Sequence, residues 1–143
     1  MPTIKKNWGS TYQHDWNDDS WTTGSPTTAA ETLSGTTESL TGGINLLTEG
    51  YEGIQLTVDI NADPTPTDDI ELNVYASLDG TNWDEMVIRK ILIDFDLVFT
   101  DPCQITTIVT GYAYLRIGFV QTGSTDSHDI STVYYKPWNW SVT

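Results

Sequence analysis

The residues of this chain that are equipped for chemistry stand in a few short clusters. Asp15, Asn17 and Asp19 alternate in "DWNDD" like the opening of a calcium loop. Such a loop needs glycine at its sixth position and a bidentate glutamate at its twelfth; Ser20 and Pro26 stand there, which excludes an EF-hand. "TDSHD" sets Asp126, His128 and Asp129 together, and His14 adds a second imidazole. Two histidines so far apart read as surface residues rather than as a transition-metal set. Cys103 is the single cysteine, so no disulfide closes within the chain. Beside an apolar strand it reads as a small buried hydrophobe. No nucleophile elbow, phosphate-cradling loop or adjacent base accompanies it. Asp68–Asp69 and Asp94/Asp96 are carboxylate pairs of the kind that glycoside hydrolysis sets about 5–9 Å apart across a cleft. Alternation with a core face already accounts for Asp94 and Asp96. The chain therefore reads as a non-enzyme with no cofactor and no metal.

Strands must hold these residues. "GIQLTVDIN" places Ile54, Leu56, Val58 and Ile60 on one face and Gln55, Thr57 and Asp59 on the other, the period-two pattern of a half-buried strand. "IELNVYASL" repeats it, and "MVIRKILIDFDLVF" sets Ile91, Ile93, Phe95, Leu97 and Phe99 one way. "CQITTIV", "YAYLRIGFVQT" and "DISTVYYKPWNWSV" supply three more runs, and no window gives a helical stripe. Strands at roughly ten-residue spacing with turn signals between them predict an all-β, antiparallel β-sandwich, jelly-roll-like in kind. At 143 residues it is one domain, able to bury roughly 70% of its unfolded surface. Residues 1–43 are different: "TTGSPTTAAETLSGTTESLTGG" has only Leu33 and Leu40 as large aliphatics. That predicts an extended N-terminal arm over 1–43 and a sandwich over 44–143.

Six basic residues stand against twenty acidic ones, a net charge of −14. A field of that sign repels phosphate backbones, so nucleic acid is not an expected partner. No apolar run is long enough to span a membrane, and none follows Lys5–Lys6 to make a secretory signal. The arm nevertheless carries Trp8, Tyr12, Trp16 and Trp21 among polar neighbours, and the C-terminal "KPWNWSV" adds Trp138 and Trp140. Five of the six tryptophans thus lie near the two ends. Indole buries a large area while its N–H still finds an acceptor, and Trp and Tyr are frequent interface anchors. Two destinations are open to these rings: the domain's own sheet, or pockets on neighbouring subunits. The second is the leading reading, with all six residues as partner-binding anchors.

In "SLDGTNWDEM" the Asp79–Gly80 pair makes a tight turn, since Gly accepts positive φ and Asp caps the turn, and Trp83 folds back over the strand end. With "YAYLRIGFVQTGSTD" downstream, where Leu115–Arg116–Ile117 precedes a Gly/Ser/Thr turn, the strand order over residues 51–135 resembles β-sandwich virion proteins of tailed bacteriophages. It is similar, more weakly, to discoidin-like (galactose-binding-like) modules, without the disulfide that often ties their termini. The phage resemblance implies a capsid decoration (cement) protein of the virion, bound through its termini to the major capsid protein or other virion subunits, and a homo-oligomer, with a trimer favoured. Two alternatives stand beside it: a carbohydrate-binding module on a tail appendage or a secreted hydrolase, and a neck or tail component.

Overall fold

The alternation in "GIQLTVDIN" becomes strand β7 (Gly53–Asn61), whose Ile54, Leu56, Val58 and Ile60 are fully buried. The computed structural model describes residues 2–95 and 103–142, and among these it contains twelve strands and no helix. Ahead of β7 come β1 (Ile4–Trp8), β2 (Tyr12–Asp15), β3 (Ser20–Thr22), β4 (Glu31–Thr32), β5 (Ser39–Leu40) and β6 (Ile44–Asn45). After it come β8 (Ile70–Ser77), β9 (Arg89–Ile93), β10 (Cys103–Thr110), β11 (Tyr114–Gln121) and the long β12 (Asp129–Val142).

Two antiparallel sheets face each other as a β-sandwich. The larger runs β10-β7-β12-β2-β3, with β1 and β4 also paired to β12. The smaller runs β5-β11-β8-β9, with β6 also on β11. From β9 to β12 successive strands lie alternately in the smaller and the larger sheet, in jelly-roll-like succession. Ile54, Leu56, Val58 and Ile60 meet Leu72, Val74, Leu115, Ile117 and Phe119 in one core. Each such side chain contributes about 1.5–3 kcal/mol by leaving water. Cys103 is buried there as a small apolar group, and burial raises its thiol pKa. In β9 the inward set includes Ile93, with Phe95 buried just beyond; Asp96, Leu97 and Phe99 lie outside the described residues.

The boundary at residue 43 requires correction. β2 to β6 belong to the two sheets, and Leu33 and His14 are buried as deeply as any strand aliphatic. The polar segment folds onto the sandwich because its few large groups are spaced to plug the edges, while backbone hydrogen bonds do the rest. Trp16 N donates to Thr28 O, Leu33 N to His128 O and Thr41 N to Ile117 O. The Asp15 carboxylate accepts from the backbone N–H groups of Thr27, Asn17 and Thr28, which hold its pKa below the usual carboxylate range. β1 stands clear of the core, every one of its side chains exposed.

Candidate functional site

The clusters that suggested chemistry are structural in their contacts. Asp126 accepts from Thr67 N, Thr67 Oγ1 and Asp68 N. Burial alone would raise its pKa, but those donors and the nearby His128 ring together hold it low. The expectation that both histidines lie at the surface is corrected, since His14 and His128 are fully buried. His128 accepts from Asp63 N at Nδ1 and places Nε2 2.8 Å from Asp68 O and 3.2 Å from Asp126. Asp68 in turn receives Thr125 N and Asp126 N, so the pair ties the loop after β11 to the loop before β8. Among the described residues no three His, Cys, Asp or Glu side chains converge as a metal set.

The turn after β8 is built around one carboxylate. Asp79 receives the N–H groups of Asn82 and Thr81, the Asn82 amide and the Ser77 hydroxyl, which drive its pKa far below the usual range. Gly80 takes φ 77°, open to glycine at little cost. Trp83 bridges to Ser77, and its ring takes the Arg116 guanidinium at 4.8 Å. Arg116 also lies over Tyr75, whose hydroxyl donates to Glu38; burial first, then Glu38, push the Tyr75 pKa up to about 12.

The six terminal aromatics divide into two groups. Tyr12 stacks on Tyr135 at 4.9 Å, and Trp21 meets the same Tyr135 edge-on at 4.9 Å while donating Nε1 to Gly42 O. Burial drives the Tyr135 phenol upward in pKa. Trp16 contacts Phe119, and His14 sits between Trp16 and Trp21 with Nε2 accepting from Gly42 N. These rings close one side of their own sandwich. Trp138 is likewise covered within the chain, by Trp8 at 5.7 Å and the Lys6 ammonium at 4.5 Å. Placing Tyr12, Trp16, Trp21 and Trp138 on a partner is therefore corrected: each already has an apolar neighbour at home.

Trp8 and Trp140 are left. β1 pairs with the last residues of β12 in the register Ile4↔Val142, Lys6↔Trp140 and Trp8↔Trp138. Directly opposed residues share a face, so this two-stranded ribbon is amphipathic. One face carries those six residues; the other carries Lys5, Asn7, Asn139 and Ser141. Ile4 is 68% exposed, Trp8 40%, Trp140 55% and Val142 67%. Beyond Trp138, which opposes Gly53 at the start of β7, β12 has β1 on one side and no described strand on the other. Among the described residues both ribbon edges are open. A two-stranded ribbon alone is marginal in water.

The apolar ribbon face runs into the outer face of the larger sheet, since Trp138, Lys136 and Tyr134 share their side of β12 and lie opposite Gly53, Gln55 and Thr57. A groove of about 230 Å³ there is lined by Trp8, Gln55 and Lys136. Residues 2–9 and 130–142 contain Lys5, Lys6 and Lys136 and no carboxylate. On a chain of net charge −14, these two stretches form a cationic, aromatic strip. The face parity of "KPWNWSV" marked Trp140 for this role; Ile4, Lys6 and Val142 gave no signal until the register joined the two termini.

No family model and no curated protein matches the chain. Among solved structures, the crystal structure of the Yersinia pseudotuberculosis-derived mitogen is similar at 14% identity and a TM-score of 0.41, over 97% of this chain and 86% of that one.

Proposed function

We propose that this chain is a non-catalytic assembly protein that joins a larger particle through its terminal ribbon. The setting we propose, from the resemblance, is the virion of a tailed phage, with the protein decorating the capsid and the ribbon gripping neighbouring subunits of the shell lattice. One observation carries the reading: an amphipathic ribbon built from both chain ends, with aromatic and aliphatic groups in water, open edges and no carboxylate. Open edges invite added strands, and exposed indoles serve as anchors once a partner covers them. Many copies on one particle turn a modest single contact into firm attachment. The dense negative charge elsewhere favours solubility and keeps decorated particles apart.

The test is occupancy on purified shells stripped of this protein. Trp140→Ala removes the more exposed of the two indoles without touching the core, and should weaken attachment by about 2 kcal/mol if the ring is an anchor. Unchanged occupancy would refute the reading.

A further inference from the structure

The ribbon stands beside a surface of opposite character. At its base Glu52 N donates to Trp138 O and Gly111 N to Glu52 O, which fixes the loops before β7 and after β10 against the ribbon root. Between those loops and the turn after β8 lie two adjoining cavities of about 230 and 380 Å³ that meet at Tyr112. Their walls are mixed: Leu46, Leu47, Ala76, Leu78, Tyr112 and Ala113 supply apolar surface, with Leu47, Leu78 and Tyr112 exposed, while Ser77, Asp84 and Glu52 add polar groups. Asp84 and Glu52 line them and are exposed, Glu85 and Glu49 are exposed close by in sequence, and no Lys or Arg occurs from residue 44 to residue 88. The ribbon presents the complement, with Lys5, Lys6, Trp140 and Val142 exposed. Lys5 and Lys6 make no ion pair among the described residues.

We infer that two copies of this chain associate end to end about a two-fold axis, each ribbon lying in the Tyr112 groove of the other. Donor and acceptor sit side by side at one end of the molecule, so one two-fold operation satisfies both and makes each contact twice. The ribbon extends β12 by four residues past Trp138, roughly 13 Å at strand rise, which gives it reach across a facing groove. Its own groove, at its root, is left open. Carboxylates of the groove then meet Lys6, which shares the ribbon face of Trp140, while Lys5 on the opposite face adds positive charge at the rim. The exposed indole finds the groove's apolar residues. Opposed charges of this kind set register and exclude the wrong orientation. The inference rests on the reading of the ribbon as a docking element and names a sister copy as what it grips.

Sedimentation of the full chain between about 1 and 100 µM should show a monomer–dimer equilibrium, with dimer prevailing at the upper end. Lys5→Glu with Lys6→Glu should weaken dimerisation at least tenfold, and Glu52→Lys with Asp84→Lys should do the same. All four positions are exposed, so circular dichroism should show each variant folded. The fourfold charge-swapped chain should regain dimerisation, which a merely structural role of these residues would not produce. A chain that is monomeric at 100 µM, forms another oligomer, or shows no rescue overturns the inference. Shell occupancy keeps the two readings apart: a monomer whose attachment still falls with Trp140→Ala sinks the sister-copy contact alone, whereas unchanged occupancy sinks the docking reading.

Discussion

Cutting the chain at two points separates the ribbon from the aromatic seal. Removing residues 1–8 deletes β1, whose side chains are all exposed, and uncovers part of the Trp138 ring. Re-exposing a fraction of one indole should cost about 1–2 kcal/mol, and the sandwich should still unfold cooperatively. Removing residues 1–24 also takes Tyr12, His14, Trp16 and Trp21, together with the Asp15 carboxylate that holds Thr27 and Thr28. A fully buried large aromatic replaced by Ala costs about 3–5 kcal/mol; these rings are partly buried, so about 2–3 each is the fair figure, or roughly 6–9 for the three largest. Against a total of about 5–15 kcal/mol for a domain, little stability would remain. Urea titration followed by far-ultraviolet circular dichroism reads both cuts without relying on the deleted indoles. The short truncation should keep a midpoint near that of the full chain, and the long one should be unfolded or nearly so. Equal midpoints for the full chain and the 1–24 deletion would refute the placement of these rings in the protein's own core.

Other perturbations test separate parts of the structure. Leu33→Ala, in the middle of the polar segment, should cost about 3 kcal/mol in urea unfolding because the side chain is fully buried; a loss under about 0.5 would return that segment to solvent. Gly53→Ala should destabilise by about 1–3 kcal/mol, since a Cβ would meet the Trp138 ring and the Val109 carbonyl oxygen, both at 2.6 Å. Burial lowers the His14 pKa below its ordinary 6.5, outweighing the opposing pull of Asp19, Asp15 and Asp18. As pH falls the unfolded chain therefore takes this proton first, so the stability owed to neutral His14 is complete above about pH 6.5 and declines below it. The urea midpoint should fall between pH 7.5 and 5.5, and His14→Phe should fall less steeply; parallel profiles would exclude His14 as the cause.

The strands that could be read directly were those with long aliphatic alternation. In β7 the inward residues from Ile54 onward are Ile, Leu and Val at strict period two, and burial follows that pattern. β8 and β11 keep the period for their aliphatics and Phe119, although Asn73, Ser77 and Gly118 are buried as well. β4, β5 and β6 have two residues each, too few for any period, and their pairing comes from backbone groups meeting the edges of β11 and β12. Composition therefore mistook them for an arm. Residue type marked the indoles as anchors but carried no information about whose surface they grip; that follows from where β2 and β3 lie relative to Tyr135 and Phe119. The turn after β8 was legible because a single Asp-Gly pair with a Ser two residues before it specifies the hydrogen bonds almost alone.

β12 explains why attachment and stability can be varied separately in this fold. Its first half puts Ile130, Val133 and Tyr135 into the core and pairs with β7; its last four residues run past the end of β7 and, among the described residues, pair with β1 alone. Pro137 sits near the junction. It donates no hydrogen bond, yet its carbonyl still accepts from Gly9 N, so the ladder passes through it to the ribbon. Trp138 lies just after it, its ring over Gly53 and under Trp8 and Lys6, so the ribbon is rooted by a covered indole. Changes beyond Trp138 remove surface and leave the core intact; changes before Pro137 do the reverse. A partner that covers the ribbon would stabilise the whole chain through β12 only to the extent that the root holds. Trp138→Ala should therefore lower thermal stability and attachment together, while Trp140→Ala should lower attachment alone.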